Sequence, residues 1–196
     1  MAIAQRLNFA EYLNYARSTE SPCELVDGEL VVMSLGTGRH GAIAKFLERL
    51  FDAESQRTGK DWTAQRFSVA IRSPRGGRWD TARIPDVVVL PVAQWQELQN
   101  QEAVIDLHDP PPLLVVEVVS ESTRSTDYRA KRSEYAVLNI AEYWIVDPLQ
   151  AVVTVCKLVE GLYDANEFRA DSLVDSLVFS ELEVSAEQVL NAGREG

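Results

Sequence analysis

Three side chains far apart in the sequence have the types needed for phosphoryl chemistry: the carboxylates of Asp86 and Glu117 and the ammonium of Lys131. Leu113 to Val119 is a run of branched and large apolar residues, bounded by Pro110 to Pro112 and by a Ser/Thr cluster, and reads as a strand buried on both faces. Glu117 sits inside it, where a carboxylate is costly unless a cation or a hydrogen-bond donor meets it. Asp127, Lys131 and Tyr135 follow at steps of four on a helix that Ser122 to Thr126 can cap, which puts an acid, an ammonium and a phenol on one helical face. A second acid, Asp86, lies in Arg83 to Val89, another short buried strand with Pro85 near its start, where the missing N–H does least harm.

Two such carboxylates and a lysine suit a divalent cation. Mg²⁺ prefers oxygen ligands, keeps several waters, and is typically held by one or two carboxylates together with substrate phosphate oxygens. It lowers the pKa of a bound water and stabilises phosphoryl charge, while a lysine orients or deprotonates the attacking water, so the set suffices for phosphodiester hydrolysis. The plainer alternative makes Asp86 a turn residue, pairs Glu117 with a core arginine, and leaves Asp127 and Lys131 as a surface pair worth about 0.3 to 0.5 kcal/mol.

The positioning elements can be read in order. Asn8 to Arg17 has helical apolar spacing with Asn8 as N-cap. Cys23 to Met33 places Asp27-Gly28 between two apolar runs, a hairpin signal, so Glu24 lies on a strand. Gly36 to Gly41 is expected as a loop before an amphipathic helix over Ala42 to Ala53. Trp62 to Arg72 alternates as one strand, Ser73 to Arg78 as a mobile turn, Arg83 to Leu90 as the Asp86 strand, and Ala93 to Asn100 as a short helix. A loop over Gln101 to Pro112 leads into the Glu117 strand. Glu142 to Asp147 is a strand stopped by Pro148, Val152 to Ala170 a hairpin around Glu160-Gly161, Ser176 to Leu182 an edge segment, and Ser185 to Ala192 a closing helix capped by Ser185. With no repeat or linker, the layout is one α/β domain over 1–196: an N-terminal helix in 1–20, the motif region in 21–148, and a C-terminal hairpin and helix in 149–196.

Composition narrows the setting. The chain has 196 residues, 46% hydrophobic and 25% charged, ordinary for a soluble globular domain. No apolar run approaches a membrane span and no signal-peptide pattern follows Met1, so a cytoplasmic protein is expected. Cys23 and Cys156 match no metal-ligand or redox spacing and read as reduced structural thiols. The net charge of −11 argues against nucleic acid. Its distribution weakens that objection: Arg66 to Arg83 and Arg124 to Arg132 together hold 9 of the 19 cations and 2 of the 30 acids, so +7 there faces −18 elsewhere.

These motifs carry a resemblance. Pro85-Asp86, Glu117-Val118-Val119-Ser120, Ser122-Thr123, Asp127, Lys131, Tyr135 and Glu142-Tyr143-Trp144-Ile145-Val146-Asp147-Pro148, with the hairpin Glu24 to Glu29 and His40, resemble the Uma-type family of restriction-endonuclease-like proteins, over about Glu24 to Pro148. The resemblance implies the PD-(D/E)XK nuclease fold, a mixed β-sheet flanked by α-helices, with Asp86 and Glu117 binding Mg²⁺, or Mn²⁺ in its place. The parent motif has its lysine two residues after the second acid, where this chain has Val119. Lys131 is the natural replacement, since its long stem can reach back over the strand. By the same resemblance Glu24 is a further acid facing the site. DNA is the implied partner, with Arg75, Arg78, Arg83 and Arg124 as expected backbone contacts and a homodimer expected, because cutting both strands of a duplex takes two sites.

Two other readings stay open: a catalytically inactive nucleic-acid- or protein-binding module on the same fold, and a nucleotide-binding protein. The latter rests on Gly36, Gly38 and Gly41, which match the dinucleotide fingerprint in spacing but follow a hairpin strand instead of opening a βαβ unit. His40 is read as a capping or core residue ahead of a base, and Tyr135 as either a site hydrogen-bond donor or packing. Of the tryptophans only Trp79 stands beside arginines, where it could stack a base; Trp62, Trp95 and Trp144 are assigned to packing.

Overall fold

The computed structural model describes residues 6–19, 22–33 and 36–192. The first helix, α1 (Phe9–Ser18), starts on a capping box in which Asn8 and Glu11 exchange hydrogen bonds with each other's backbone N–H. Next come β1 (Cys23–Val26) and β2 (Glu29–Val32), then α2 (Gly38–Arg57), β3 (Trp62–Arg66), β4 (Ala70–Arg75), β5 (Arg78–Arg83), β6 (Val87–Pro91), α3 (Val92–Leu98) and β7 (Val104–Ile105). The chain continues through β8 (Leu114–Val118), a π-helical turn over Thr126–Lys131 running into α4 (Arg132–Val137), then β9 (Glu142–Asp147), β10 (Val152–Val159), β11 (Leu162–Phe168) and α5 (Ala186–Leu190).

The expected single mixed sheet is two. The larger has the order β11-β10-β9-β8-β6-β3, with β8 and β9 parallel and its other pairs antiparallel. The smaller has the order β2-β1-β5-β4-β7, parallel only between β4 and β7. The larger sheet is buried on both faces, which is why its central strands are nearly all apolar. Val87, Val89, Leu114, Val116, Trp144 and Val146 pack one face against α2 and α5. Val88, Leu90, Val115, Tyr143 and Ile145 pack the other against α4 and the inner side of the smaller sheet.

Several boundaries differ from the sequence pattern for physical reasons. The strand expected over Trp62 to Arg72 is broken at Phe67, whose φ of 57° lies in the left-handed region and lets β3 and β4 join different sheets. The turn expected over Ser73 to Arg78 is a hairpin in which only Gly76 and Gly77 leave the strands, both with positive φ. Helix α2 begins at Gly38, capped by Thr37, so two of the three fingerprint glycines are helical. The β2 strand before it pairs only within the smaller sheet, while β3 after it joins the larger, so the glycine loop opens no βαβ unit and the dinucleotide reading loses its structural context. Ser176 to Leu182 is no edge strand but an irregular loop. The buried carboxylate of Glu142 pins it, accepting hydrogen bonds from the Leu177 and Val178 backbones at 2.6 and 2.7 Å, while Phe179 packs on Phe51. Cys23 and Cys156 are buried free thiols, and no helix among the described residues is long and apolar enough to cross a membrane.

The Asp27-Gly28 hairpin forms as expected because both residues take positive φ, 50° and 82°. Its tip is clamped: Gly28 accepts from the Leu7 backbone and donates to Asp80, each at 2.8 Å. A Cβ on Gly28 would lie 2.9 Å from the Arg6 Cβ.

Candidate functional site

Strand alternation decides where the two acids point. Glu117 shares its face of β8 with Val115, and Asp86, one residue before β6, shares the face of Val88, so both look toward α4. The register agrees: Val87 pairs antiparallel with Val116, which brings Asp86 opposite Glu117. Asp86 Oδ2 accepts a 2.5 Å hydrogen bond from the Val118 backbone, tying the acid to the neighbouring strand.

Lys131 reaches back from the helix as the sequence anticipated. Its Nζ lies 2.7 Å from Glu117 Oε2, 3.2 Å from Asp127 Oδ1 and 3.9 Å from Glu24 Oε1. Lys131 is 5% exposed, so the plainer alternative of a surface pair with Asp127 does not hold, and the partner of Glu117 is this lysine and not an arginine. The π-helical turn is responsible for the convergence. An i→i+5 hydrogen-bond pattern aligns residues four apart more nearly than an α-helix does, so Asp127 and Lys131 both point inward. One turn on, the buried Tyr135 hydroxyl donates to Glu117 Oε1 at 2.8 Å. Burial and the Glu117 charge hold that phenol well above its ordinary pKa, so it remains a donor.

Glu24 arrives from β1, but its role is different from that of a free acid. Its Oε2 accepts from Arg83 at 2.9 Å and its Oε1 from the Ile84 backbone at 3.1 Å, so it braces the segment leading to Asp86. Arg83 corrects the expectation of a DNA contact: it is 2% exposed and also forks onto Glu134 at 2.8 and 2.9 Å. A guanidinium so enclosed survives because three carboxylate oxygens surround it. Arg75 likewise pairs with Glu134 at 3.1 Å and Arg78 with Asp80 at 3.0 Å, both half-exposed at the β4–β5 hairpin. Arg124 is exposed, 3.7 Å from the Asp147 carboxylate. Trp79 is exposed at the same hairpin, whereas Trp144 is fully buried.

The structure also brings to the site two residues, His40 and Asp127, that the sequence named without giving them a task there. His40, on the first turn of α2, brings Nε2 to 2.8 Å from Asp86 Oδ1. Burial acts to lower the His40 pKa, but the facing Asp86 carboxylate outweighs it and the net shift is upward. Asp127 is buried, with the Lys131 ammonium 3.2 Å from its Oδ1. Burial raises the Asp127 pKa against the pull of Lys131. Burial opposes the charge of Lys131 too, yet Glu117, Glu24 and Asp127 together hold its pKa above the ordinary lysine value.

The donor set is therefore rich in carboxylate oxygens and short of cations. That chemistry fits a hard divalent cation at Asp86 and Glu117. Among the described residues, no three His, Cys, Asp or Glu groups converge closely enough to hold a cation by themselves, so most ligands would come from water and substrate. A separate surface cavity of 230 Å³, lined by Arg72, Trp79, Asp106 and Leu138 among others, contains none of these residues.

Comparison with known proteins bears on the family and the fold. The family model described as "Uma2: Putative restriction endonuclease" matches residues 9–187. A crystal structure of "a putative nuclease belonging to DUF820" from Anabaena variabilis ATCC 29413 superposes with a TM-score of 0.74, at 19% sequence identity, covering 94% of this chain and 98% of that one. It shares the fold. No curated protein matches significantly.

Proposed function

The chain belongs to the Uma2 family, described as "Putative restriction endonuclease", and from that premise we propose that it is a Mg²⁺-dependent endonuclease hydrolysing phosphodiester bonds in DNA. The observation that carries the reading is the buried ammonium of Lys131 at 2.7 Å from Glu117, on the strand face that Asp86 also occupies.

Asp86 and Glu117 would hold the cation, which when bound supplies Lewis-acid stabilisation of phosphoryl charge and a more acidic water. Each residue of the chain then has a definite task. Lys131 orients the attacking water from beside Glu117 and offsets charge that develops on the phosphate. Tyr135 keeps Glu117 aimed by donating to its far oxygen. Glu24 and the Val118 N–H fix the Asp86 segment from two sides. Arg75, Arg78 and Arg124, the expected arginines with exposed heads, are proposed to meet the phosphate backbone, each exchanging a protein carboxylate for a phosphate. Two such sites in a homodimer would cut both strands.

A second reading is favoured by one observation: Glu117 and Lys131 are already satisfied by protein groups, as in a module that binds without turnover. Plasmid cleavage with Mg²⁺ or Mn²⁺ separates the two. Asp86→Ala and Lys131→Ala should each lower the rate by roughly a hundredfold or more. Cleavage unchanged by both would remove the site assignment, and metal binding without cleavage by the wild type would favour the module.

A further inference from the structure

Glu117 already receives Tyr135 on one oxygen and Lys131 on the other. Asp86 is differently placed. Its Oδ2 takes the Val118 N–H, and its Oδ1 pairs with His40 Nε2 at 2.8 Å. Held at that separation, the imidazole and the carboxylate share a proton in the metal-free protein, and a divalent cation can take that proton's place by displacing it. The distance also suits adjacent ligands of one ion: bonds of 2.0–2.1 Å at right angles put two neighbouring donors about 3 Å apart.

The surroundings hold the imidazole in this pose. The His40 backbone N–H donates to the Thr37 cap at 3.2 Å, and its ring packs against Phe67, centroids 6.0 Å apart. Gly36 passes so close to the ring that a Cβ there would lie 3.0 Å from Nδ1. That close approach gives the first glycine of the Gly36-x-Gly38-x-x-Gly41 motif a purpose unrelated to nucleotides. Asp127, paired with Lys131 at 3.2 Å, adds negative charge near the imidazole.

We propose that His40 is itself a ligand of the divalent cation, shared with Asp86, and that this imidazole biases the site toward Mn²⁺ over Mg²⁺. The inference rests on the metal-dependent reading of Asp86 given above. Its chemical basis is ligand type: Mg²⁺ dehydrates reluctantly and prefers oxygen, whereas nitrogen donors raise affinity along the first transition series starting from Mn²⁺. A histidine that merely held Asp86 in place would leave no mark on the ion's own electronic environment.

The test uses the full chain, stripped with a chelator and titrated with MnCl₂ or MgCl₂ by calorimetry, with pulsed electron paramagnetic resonance on the Mn²⁺-loaded protein. The chain has two histidines, and the other, His108, is exposed and serves as control. Expected is a histidine ¹⁴N coupling to Mn²⁺ that is lost in His40→Gln and kept in His108→Gln, with Mn²⁺ affinity falling at least about tenfold in His40→Gln and Mg²⁺ affinity falling less. Gly36→Ala, which crowds Nδ1 without removing the donor, should weaken Mn²⁺ binding in the same direction and covers the case in which His40→Gln does not fold. A ¹⁴N coupling that survives in His40→Gln, or Mn²⁺ affinity that His40→Gln leaves intact while Asp86→Asn abolishes it, overturns the proposal but keeps the metal reading. Binding of neither ion by the wild type overturns both.

Discussion

Lys131 and Glu117 form a closed ion pair across the junction of the π-helical turn and the larger sheet, 2.7 Å apart, with neither side chain more than 6% exposed. Removing one member of such a pair strands the other charge in the interior. Lys131→Met should therefore destabilise the fold by about 3 kcal/mol, whereas Lys131→Met with Glu117→Gln should recover more than half of that loss. Neither variant should cleave DNA. Urea unfolding of both measures the difference, and equal stability of the single and double variants would mean that the pair is not closed in solution.

Tyr135→Phe isolates the hydroxyl that holds Glu117. The ring remains in its pocket, so the expected cost is about 1–2 kcal/mol, the value of one buried donor to a charged acceptor. Cleavage should fall much further than stability, by about tenfold or more, because an unaimed Glu117 can turn toward Lys131 alone. A rate that tracks stability loss would assign Tyr135 to packing only.

Glu134 gives a pH signature. Burial raises its pKa, but the hydrogen bonds and charges of Arg83 and Arg75 outweigh that and bring it below the ordinary glutamate value of 4.5. A lowered carboxyl contributes stability that is present above the unfolded value and lost as pH falls through the folded one. Wild-type stability should therefore drop more steeply below about pH 4.5 than that of Glu134→Gln, which will already be weaker near neutrality. Thermal melts from pH 3 to pH 7 would show two converging curves; parallel curves would contradict the assignment.

Gly28→Ala probes the clamp at the hairpin tip. With φ at 82° and the Arg6 Cβ 2.9 Å from the position of a new methyl, both backbone strain and a clash oppose the substitution. A loss of about 1–3 kcal/mol in denaturant unfolding is expected. No change would imply that the N-terminal segment lifts away without cost.

How far the sequence reached follows from what each signal reports. The pairing of Glu117 with Lys131 was legible because a charged residue inside an apolar run must have a partner, and helical spacing supplied one. Arg83 was misread because a local excess of arginine looks the same whether its members face water or a buried carboxylate, and Glu134, its main partner, is 51 residues away in sequence. The break at Phe67 was invisible, since alternation continues across it and nothing in a phenylalanine announces a positive φ. His40 was noted but not placed, because the contact that matters spans α2 to Asp86. Glu142 shows the same limit: a strand acid whose purpose, capping the Leu177–Val178 loop, appears only once the fold is closed.

Asp86 sits in neither sheet. It lies on the short link where the chain passes from β5 to β6, its carbonyl accepts from the Phe67 backbone at 3.3 Å at the other crossing point, and Glu24 of β1 secures Ile84 two residues earlier. The alignment of the two acids thus belongs to the joint between the layers and not to either layer. A disturbance confined to the first hairpin, far from Glu117 in sequence, could draw Asp86 out of line while the larger sheet stays intact, so the protein can fall silent well before it melts.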